Sequence, residues 1–160
     1  MNRSRIRKLV KLKKTIASSR SLGFISIKFL DKELWMFSYL TVAKGVALGL
    51  FWMMIPLPFQ MIPAVIMGVY IRANMPATLL CVWLSNPFTW VPLYFTNYLF
   101  GSYLLGLNIN IVNWQEYTQY MMDNIGKFWQ PLYLGSITGG IIVASTGFVL
   151  VYLFKILFKR

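Results

Sequence analysis

The sequence predicts an all-α integral membrane protein in which prolines break several helices. Apolar residues make up 58% of the chain and charged residues only 12%, against about 25% charged residues in a typical soluble domain. Residues 45–106 and 131–154 contain apolar runs longer than the about 18 residues that mark a candidate membrane span. Arg72 is the only charge in these two segments. The pattern predicts proline-broken helices, one or two full spans and an amphipathic surface helix.

Residues 1–43 are predicted to form a basic N-terminal tail with an interfacial segment. The formal net charge is +12, and residues 1–20 hold many basic residues and no acid. Beside membrane spans, such a tail favours contact with the lipid bilayer through anionic lipid headgroups, and a cytoplasmic N-terminus. Nucleic acid is not an expected partner, because no recognised nucleic-acid-binding module accompanies the tail. An amphipathic helix on the membrane surface and a disordered tail both fit this composition.

Residues 44–160 are predicted to form the membrane domain, which begins with a broken helix at 45–71. A straight helix over this segment would be roughly 40 Å long, whereas the apolar part of a bilayer is about 30 Å thick. Pro56 and Pro58 each remove a backbone donor and oppose helical geometry in the preceding residue. A re-entrant hairpin with these prolines at its tip and a tilted, kinked span both satisfy the pattern.

A second broken helix is predicted over 76–106. Pro87 interrupts it, and Thr89 is placed to cap the helix that follows. One tryptophan lies four residues before Pro56 and another lies four residues before Pro87. This shared spacing pairs the two breaks as a weak internal repeat.

The remainder of the domain is predicted to contain an amphipathic surface helix at 113–128 and a full span at 131–154. Apolar residues recur at helical spacing in the first segment, between polar ones. The second segment is uncharged and would be about 36 Å long as a helix. Within it, Ser136, Gly140 and Ala144 follow a small-residue spacing that lets helices approach closely. We expect these three residues to mark a helix-packing face.

The apolar segments offer little catalytic chemistry. The chain has four acidic residues and no histidine, and each acid lies outside the apolar runs. The single cysteine lacks the partners of a metal site or of an activated nucleophile. We therefore expect no catalytic residues, no metal and no cofactor, and we do not predict an enzyme.

Broken helices suggest a binding site instead. At membrane depth they persist only where they are buried in protein or line a wet cavity. Helix N-termini favour anions, and arginine binds phosphate or carboxylate through a fork of donors, which suggests an anionic headgroup near the middle of the membrane. The candidate substrate-binding residues are Arg72, Asn74, Asn86, Thr89 and Gln60. Alternatively, Arg72 anchors a turn at the interface and the amides cap helix ends.

Four short motifs follow one another between residues 44 and 106. They are Gly49-Leu50-Phe51-Trp52, Ile55-Pro56-Leu57-Pro58-Phe59-Gln60, Arg72-Ala73-Asn74 and Ser85-Asn86-Pro87-Phe88-Thr89, followed by Pro92, Tyr94 and Gly101. Their order and spacing resemble the bacterial membrane-protein family called domain of unknown function 2062, and we expect the resemblance to continue towards Phe154. Some relatives join this region to glycosyltransferase-like domains, so the resemblance implies work on lipids or glycans of the cell envelope.

The expected protein is a multi-pass protein of the bacterial inner membrane. Its preferred function is to bind or translocate an anionic lipid-linked or small substrate at the broken helices. The alternative is a non-transporting scaffold that holds a cell-envelope enzyme or a second copy of the chain. A re-entrant segment at 45–71 places Arg72 and both chain ends inside and residues 107–130 outside, which suits every charged segment. A full span there would place the basic C-terminal residues outside.

Overall fold

The computed structural model describes residues 32–107, 114–123 and 125–157. The part of the predicted N-terminal tail before residue 32 lies outside the described residues. The described residues are helical apart from short connections, so the predicted all-α class is confirmed for them. After a 3-10 turn at Lys32–Trp35, the helices are α1 (Tyr39–Met54), α2 (Met61–Ile71), α3 (Met75–Val82), α4 (Trp90–Leu104), α5 (Trp114–Asp123) and α6 (Ile125–Leu157).

Helix α6 runs along the molecule and organises the other helices. It has 33 residues and is therefore about 50 Å long. α1 packs antiparallel to its C-terminal half, where Gly140 faces Phe51 and Met54. α4 packs antiparallel to its N-terminal half, where Gly135 faces the Asn97 carbonyl so closely that a β-carbon would collide with it. Within the described residues, Gly126–Leu157 is the segment long and apolar enough to cross a membrane.

Helices α1 and α2 form an antiparallel hairpin. The Lys44 ammonium near the start of α1 donates to the Ile71 carbonyl at the end of α2, at 3.2 Å. The Asn74 N–H, just beyond α2, donates to the Thr41 carbonyl at 2.9 Å. The chain therefore returns to the end of the molecule from which α1 started. We call it the basic end, because Lys44, Arg72 and Lys155 lie there.

Helices α3 and α4 both point away from the basic end. Gly45 and Gly49 of α1 face the backbone of Asn74 and Thr78 so closely that β-carbons would collide, which sets α3 parallel to α1. Because α4 is antiparallel to α6, it continues in the direction of α3. The chain thus reaches the opposite end of the molecule, which we call the α5 end.

The boundary between the surface helix and the long helix differs from the predicted one. The described helix α5 ends at Asp123, and the long helix begins at Ile125 and continues through Pro131. The Phe128 ring stacks on the Tyr98 ring of α4, with 4.5 Å between centroids and 8° between planes. Burial of Phe128 against α4 draws the first turns of α6 into the packed helix, although Pro131 lacks one backbone donor.

Candidate functional site

The two interruptions of the helices lie beside each other. The first break is 55–60, between α1 and α2, and the second break is 83–89, between α3 and α4. The Ser85 hydroxyl of the second break lies 3.2 Å from the Tyr94 hydroxyl. The Tyr94 hydroxyl in turn donates to the Ile55 carbonyl of the first break at 3.4 Å. A chain of hydrogen bonds therefore connects the two breaks.

Side chains from distant parts of the sequence satisfy the carbonyl groups around the end of α1. The Asn97 amide donates to the Met54 carbonyl at 2.9 Å and to the Ser136 hydroxyl at 3.0 Å. The Tyr133 hydroxyl donates to the Pro56 carbonyl at 3.1 Å. An unpaired carbonyl in apolar surroundings is costly, so these donors explain how α1 can end inside the protein.

The side-chain amide of Gln60 bridges the two breaks. Its nitrogen faces the carbonyl oxygens of Ile55 at 2.8 Å and Trp52 at 3.1 Å, and its oxygen faces the Ser85 hydroxyl at 3.3 Å. In this orientation both ends of the amide have hydrogen-bonding partners of the complementary kind. Gln60 therefore holds the first break closed and contacts the second.

The second break is closed by its own side chains. The Asn86 amide oxygen accepts the Phe88 N–H at 2.9 Å. The Thr89 hydroxyl accepts the Asn86 N–H at 3.0 Å and donates to the Leu84 carbonyl. The predicted capping of α4 by Thr89 is wrong, because its side chain makes no capping bond and its backbone (φ −106°, ψ −17°) is helical rather than extended. Both side chains build the turn instead.

A cavity of about 720 Å³ lies where the two breaks meet. Its wall is mostly proline, leucine and other apolar side chains. The polar side chains in the wall are Gln60, Ser85, Asn86, Tyr94 and Thr118. Leu132 also lines the cavity, so the cavity lies towards the α5 end of the apolar part of α6.

The cavity is close to electrically neutral. None of the described residues in its wall is charged. α1 and α3 end at the cavity, and α2 and α4 begin at it. Helix C-termini carry roughly half a negative charge and N-termini roughly half a positive charge, so the two pairs of helix ends oppose each other. In the described part of the chain, no three metal-ligating side chains cluster together.

The structure places Arg72 and Asn74 at the basic end, away from the two breaks. Arg72 is exposed and ends α2 with φ 53°, the left-handed conformation common at helix C-termini. Asn74 is buried; its amide donates to the Met36 carbonyl at 3.0 Å and accepts the Ala77 N–H at 2.9 Å. The eight-residue α3, about 12 Å long, separates both residues from the second break. The five candidate residues therefore do not form one site.

The small residues of α6 pack inside the chain. Ser136 is buried and accepts the hydrogen bond from Asn97, and Gly140 lies against Phe51 of α1. Ala144 lies one turn further along and is half-buried. This face of α6 therefore contacts α1 and α4 of the same molecule.

The chain also matches a known protein family. The model of the bacterial family described as "Uncharacterized protein conserved in bacteria (DUF2062)" covers residues 23–160. The chain belongs to this family. The resemblance of the four motifs is thus confirmed, and the match extends beyond residue 106 to include α5 and α6. No curated protein and no solved structure matches the chain.

Within the DUF2062 region, three residues that complete the site were not among the sequence candidates. These are Tyr94, Asn97 and Tyr133. Their hydrogen-bond partners at the first break lie 39, 43 and 77 residues away in sequence. No local pattern could therefore have identified the three side chains as donors to the break.

A repeat that does mark the breaks was present in the sequence. Pro58-Phe59 is followed by Pro63, and Pro87-Phe88 by Pro92, at the same spacing. α2 and α4 each begin three residues after the first proline of this repeat. The structure therefore pairs Pro58 with Pro87, whereas the spacing of the tryptophans had paired Pro56 with Pro87.

Proposed function

We propose that this DUF2062 protein is an integral membrane protein that holds an amphipathic, lipid-like molecule in the cavity between the two breaks. The observation that carries the proposal is the cavity itself. Its volume of about 720 Å³ falls in the range of small-molecule sites, about 300–1,000 Å³. Its wall combines apolar side chains with a few neutral polar ones, which suits a molecule with an apolar body and a polar end.

Membrane insertion is supported by the surface of α6. Ile141 is 54% exposed and Leu150 is 62% exposed, and both lie in the apolar part of this helix. Soluble proteins rarely leave a long apolar stripe open to water. Charged side chains lie towards the two ends of the molecule. Those described are Lys32, Lys44, Arg72 and Lys155 at the basic end and Glu116 and Lys127 on α5 and the start of α6.

We propose a multi-pass topology in the bacterial inner membrane, with the basic end in the cytoplasm. The α1–α2 hairpin is then a re-entrant segment, α3 and α4 together form one broken span, and α6 forms the second span. The return of α2 to the end of the molecule where α1 starts supports the re-entrant hairpin. The common direction of α3 and α4 supports their assignment as one broken span. The positive-inside rule places Arg72 and Lys155 on the cytoplasmic side and α5 outside.

Reporter fusions test this topology. A cytoplasmic reporter fused after Leu157 should be active, and a reporter of the outer side inserted at Glu116 should be active. Activity of the outside reporter at Leu157 would contradict the re-entrant hairpin, because an odd number of full spans would then be required.

The proposed role is binding, and not catalysis. The cavity wall offers hydroxyls and amides but no acid, histidine or cysteine among the described residues. Arg72 lies beyond α3, so the proposed ligand is not held by its charge. Ser136 and Gly140 of the small-residue face that suggested a scaffold already lie against α4 and α1, which favours a binding role over a scaffold.

Filling the cavity tests the proposed function. Val91 lines the cavity, and Val149 is a 50% exposed residue on α6 outside it. We expect Val91→Trp to lose most of the lipid that the wild-type protein retains through purification from bacterial membranes, as measured by native mass spectrometry. Val149→Trp adds the same side chain and should retain the lipid. Equal retention by the two variants at equal membrane abundance would contradict the proposed function.

A further inference from the structure

We infer that the polar end of the bound molecule is uncharged and carries a hydroxyl group, as the headgroup of a diacylglycerol does. This inference rests on the proposed function and names the class of molecule that the cavity takes. It replaces the anionic headgroup that the sequence suggested.

The first observation that favours an uncharged headgroup is that the described cavity wall has no positive charge to pair with an anion. The described wall of the cavity contains no arginine or lysine, and the helix N-termini that face it are opposed by helix C-termini. Burying an ionised phosphate in such surroundings would carry a large desolvation cost with no compensating charge. A hydroxyl group needs only hydrogen bonds.

The second observation that favours an uncharged headgroup is the small number of unused backbone N–H groups at the N-termini of α2 and α4. Pro63 and Pro92 provide no N–H at the third position of α2 and α4. The N–H groups of Ile62 and Trp90 already donate to carbonyls of the preceding turn, as do those at the fourth position of each helix. One N–H therefore remains at the start of each helix, whereas anion-binding helix N-termini present several.

The third support is the kind of polar group that the wall does present. The Tyr94 hydroxyl proton is donated to the Ile55 carbonyl, and the Ser85 hydroxyl proton is used towards Tyr94 or the Gln60 amide oxygen. The remaining lone pairs of the two hydroxyls can therefore accept a hydrogen bond from a ligand. The Asn86 amide oxygen is used in its turn, and its nitrogen makes no hydrogen bond with the described residues. A hydroxyl on the ligand can donate and accept and so matches both, whereas a fully ionised phosphate can only accept.

The position of the cavity agrees with a lipid headgroup. Leu132 lines it, and Tyr133 contacts the tip of the α1–α2 hairpin. In the proposed topology both lie near the start of the apolar segment 131–154, just inside the apolar part of the bilayer. A headgroup in the cavity would leave its acyl chains among the lipids that surround α6.

A matched pair of lipids tests the inference on the full-length protein in phosphatidylcholine nanodiscs. Dioleoylglycerol and dioleoylphosphatidic acid have the same acyl chains and differ in a hydroxyl against a phosphate. We expect dioleoylglycerol to bind at least about tenfold more tightly. Tighter binding of dioleoylphosphatidic acid would overturn the inference and leave the proposed function standing. Binding of neither lipid, with no other lipid retained from bacterial membranes, would overturn both.

Two variants test the hydroxyl pair. Tyr94→Phe and Ser85→Ala each remove one neutral hydrogen-bonding group, so each should weaken dioleoylglycerol binding by about 3- to 10-fold. Tyr103→Phe, at an 80% exposed position of the same helix, should bind as the wild type does. Both variants are included because each hydroxyl also bonds within the breaks, Tyr94 to the Ile55 carbonyl and Ser85 to the Gln60 amide oxygen. Unchanged binding in both variants would overturn the role of the hydroxyl pair.

Discussion

The two breaks share a proline-phenylalanine sequence, in which Phe59 has a left-handed backbone and Phe88 does not, and they satisfy their polar groups in different ways. In the second break, Asn86 and Thr89 bond to partners within five residues. In the first break, the donors Tyr94, Asn97 and Tyr133 come from α4 and α6. The second break is therefore closed mainly by local bonds, whereas the first break combines the local bonds of Gln60 with donors that only tertiary packing supplies.

Because of this difference, the two parts of the cavity wall need different contacts in order to form. A turn closed by neighbouring side chains orders few residues and is formed at little entropic cost. A turn closed from 39 to 77 residues away is complete only when α4 and α6 have docked. The part of the cavity wall that the first break contributes therefore forms only after α4 and α6 have packed against it.

The largest effect should follow from removing the most buried remote donor. Asn97→Leu leaves the Met54 carbonyl and the Ser136 hydroxyl without their donor in an apolar interior. We expect a loss of about 2–4 kcal/mol in the free energy of unfolding, measured by thermal unfolding in detergent. Thr96→Val, at the exposed neighbouring position, is the control and should change little. A loss below about 1 kcal/mol for Asn97→Leu would show that the first break does not depend on this donor.

A smaller effect is expected from the donor on α6. Tyr133→Phe removes the bond to the Pro56 carbonyl and keeps the ring, so unfolding should become easier by about 1–2 kcal/mol. Tyr152→Phe removes the same hydroxyl at a 40% exposed position of the same helix and should be nearly neutral. Equal losses of unfolding free energy for Tyr133→Phe and Tyr152→Phe would show that the hydrogen bond to the Pro56 carbonyl does not stabilise the first break.

The local break should respond more weakly. Thr89→Val removes bonds at an exposed turn, and we expect a loss of about 0.5–1.5 kcal/mol. In combination with Asn97→Leu its effect should be additive, because the two side chains share no partner. A coupling energy above about 1 kcal/mol would show that the two breaks form as one unit.

The smallest effect is expected from giving the first break the residues of the second. The double variant Pro56→Ser, Leu57→Asn reproduces the Ser-Asn-Pro-Phe order, and Leu57 is exposed. The introduced amide can accept the Phe59 N–H as Asn86 accepts that of Phe88. We expect a change within about 0.5 kcal/mol by the same thermal assay. A loss as large as that of Asn97→Leu would show that the native prolines, and not the remote donors, maintain the first break.

The sequence by itself determined the helical class and the approximate helix limits, and it holds the groups that close the second break within five residues of each other, although Thr89 was predicted to cap α4 instead. These properties depend on composition and on contacts within one turn. Proline prevents helix continuation wherever it removes a needed donor, and Asn86 and Thr89 carry their turn-forming groups with them. The long apolar helix follows from a run of uncharged residues that is visible in the sequence.

Only the tertiary structure decided which polar residues share a site. It placed Arg72 at the basic end, separated from Asn86 by α3, and it brought Tyr94, Asn97 and Tyr133 to the first break. Separation along the chain does not fix these distances, because the direction of each helix after a break depends on which neighbour it packs against. The close approach of α1 and α4 to the small residues of α6 selected one set of directions, and that packing created the neutral cavity.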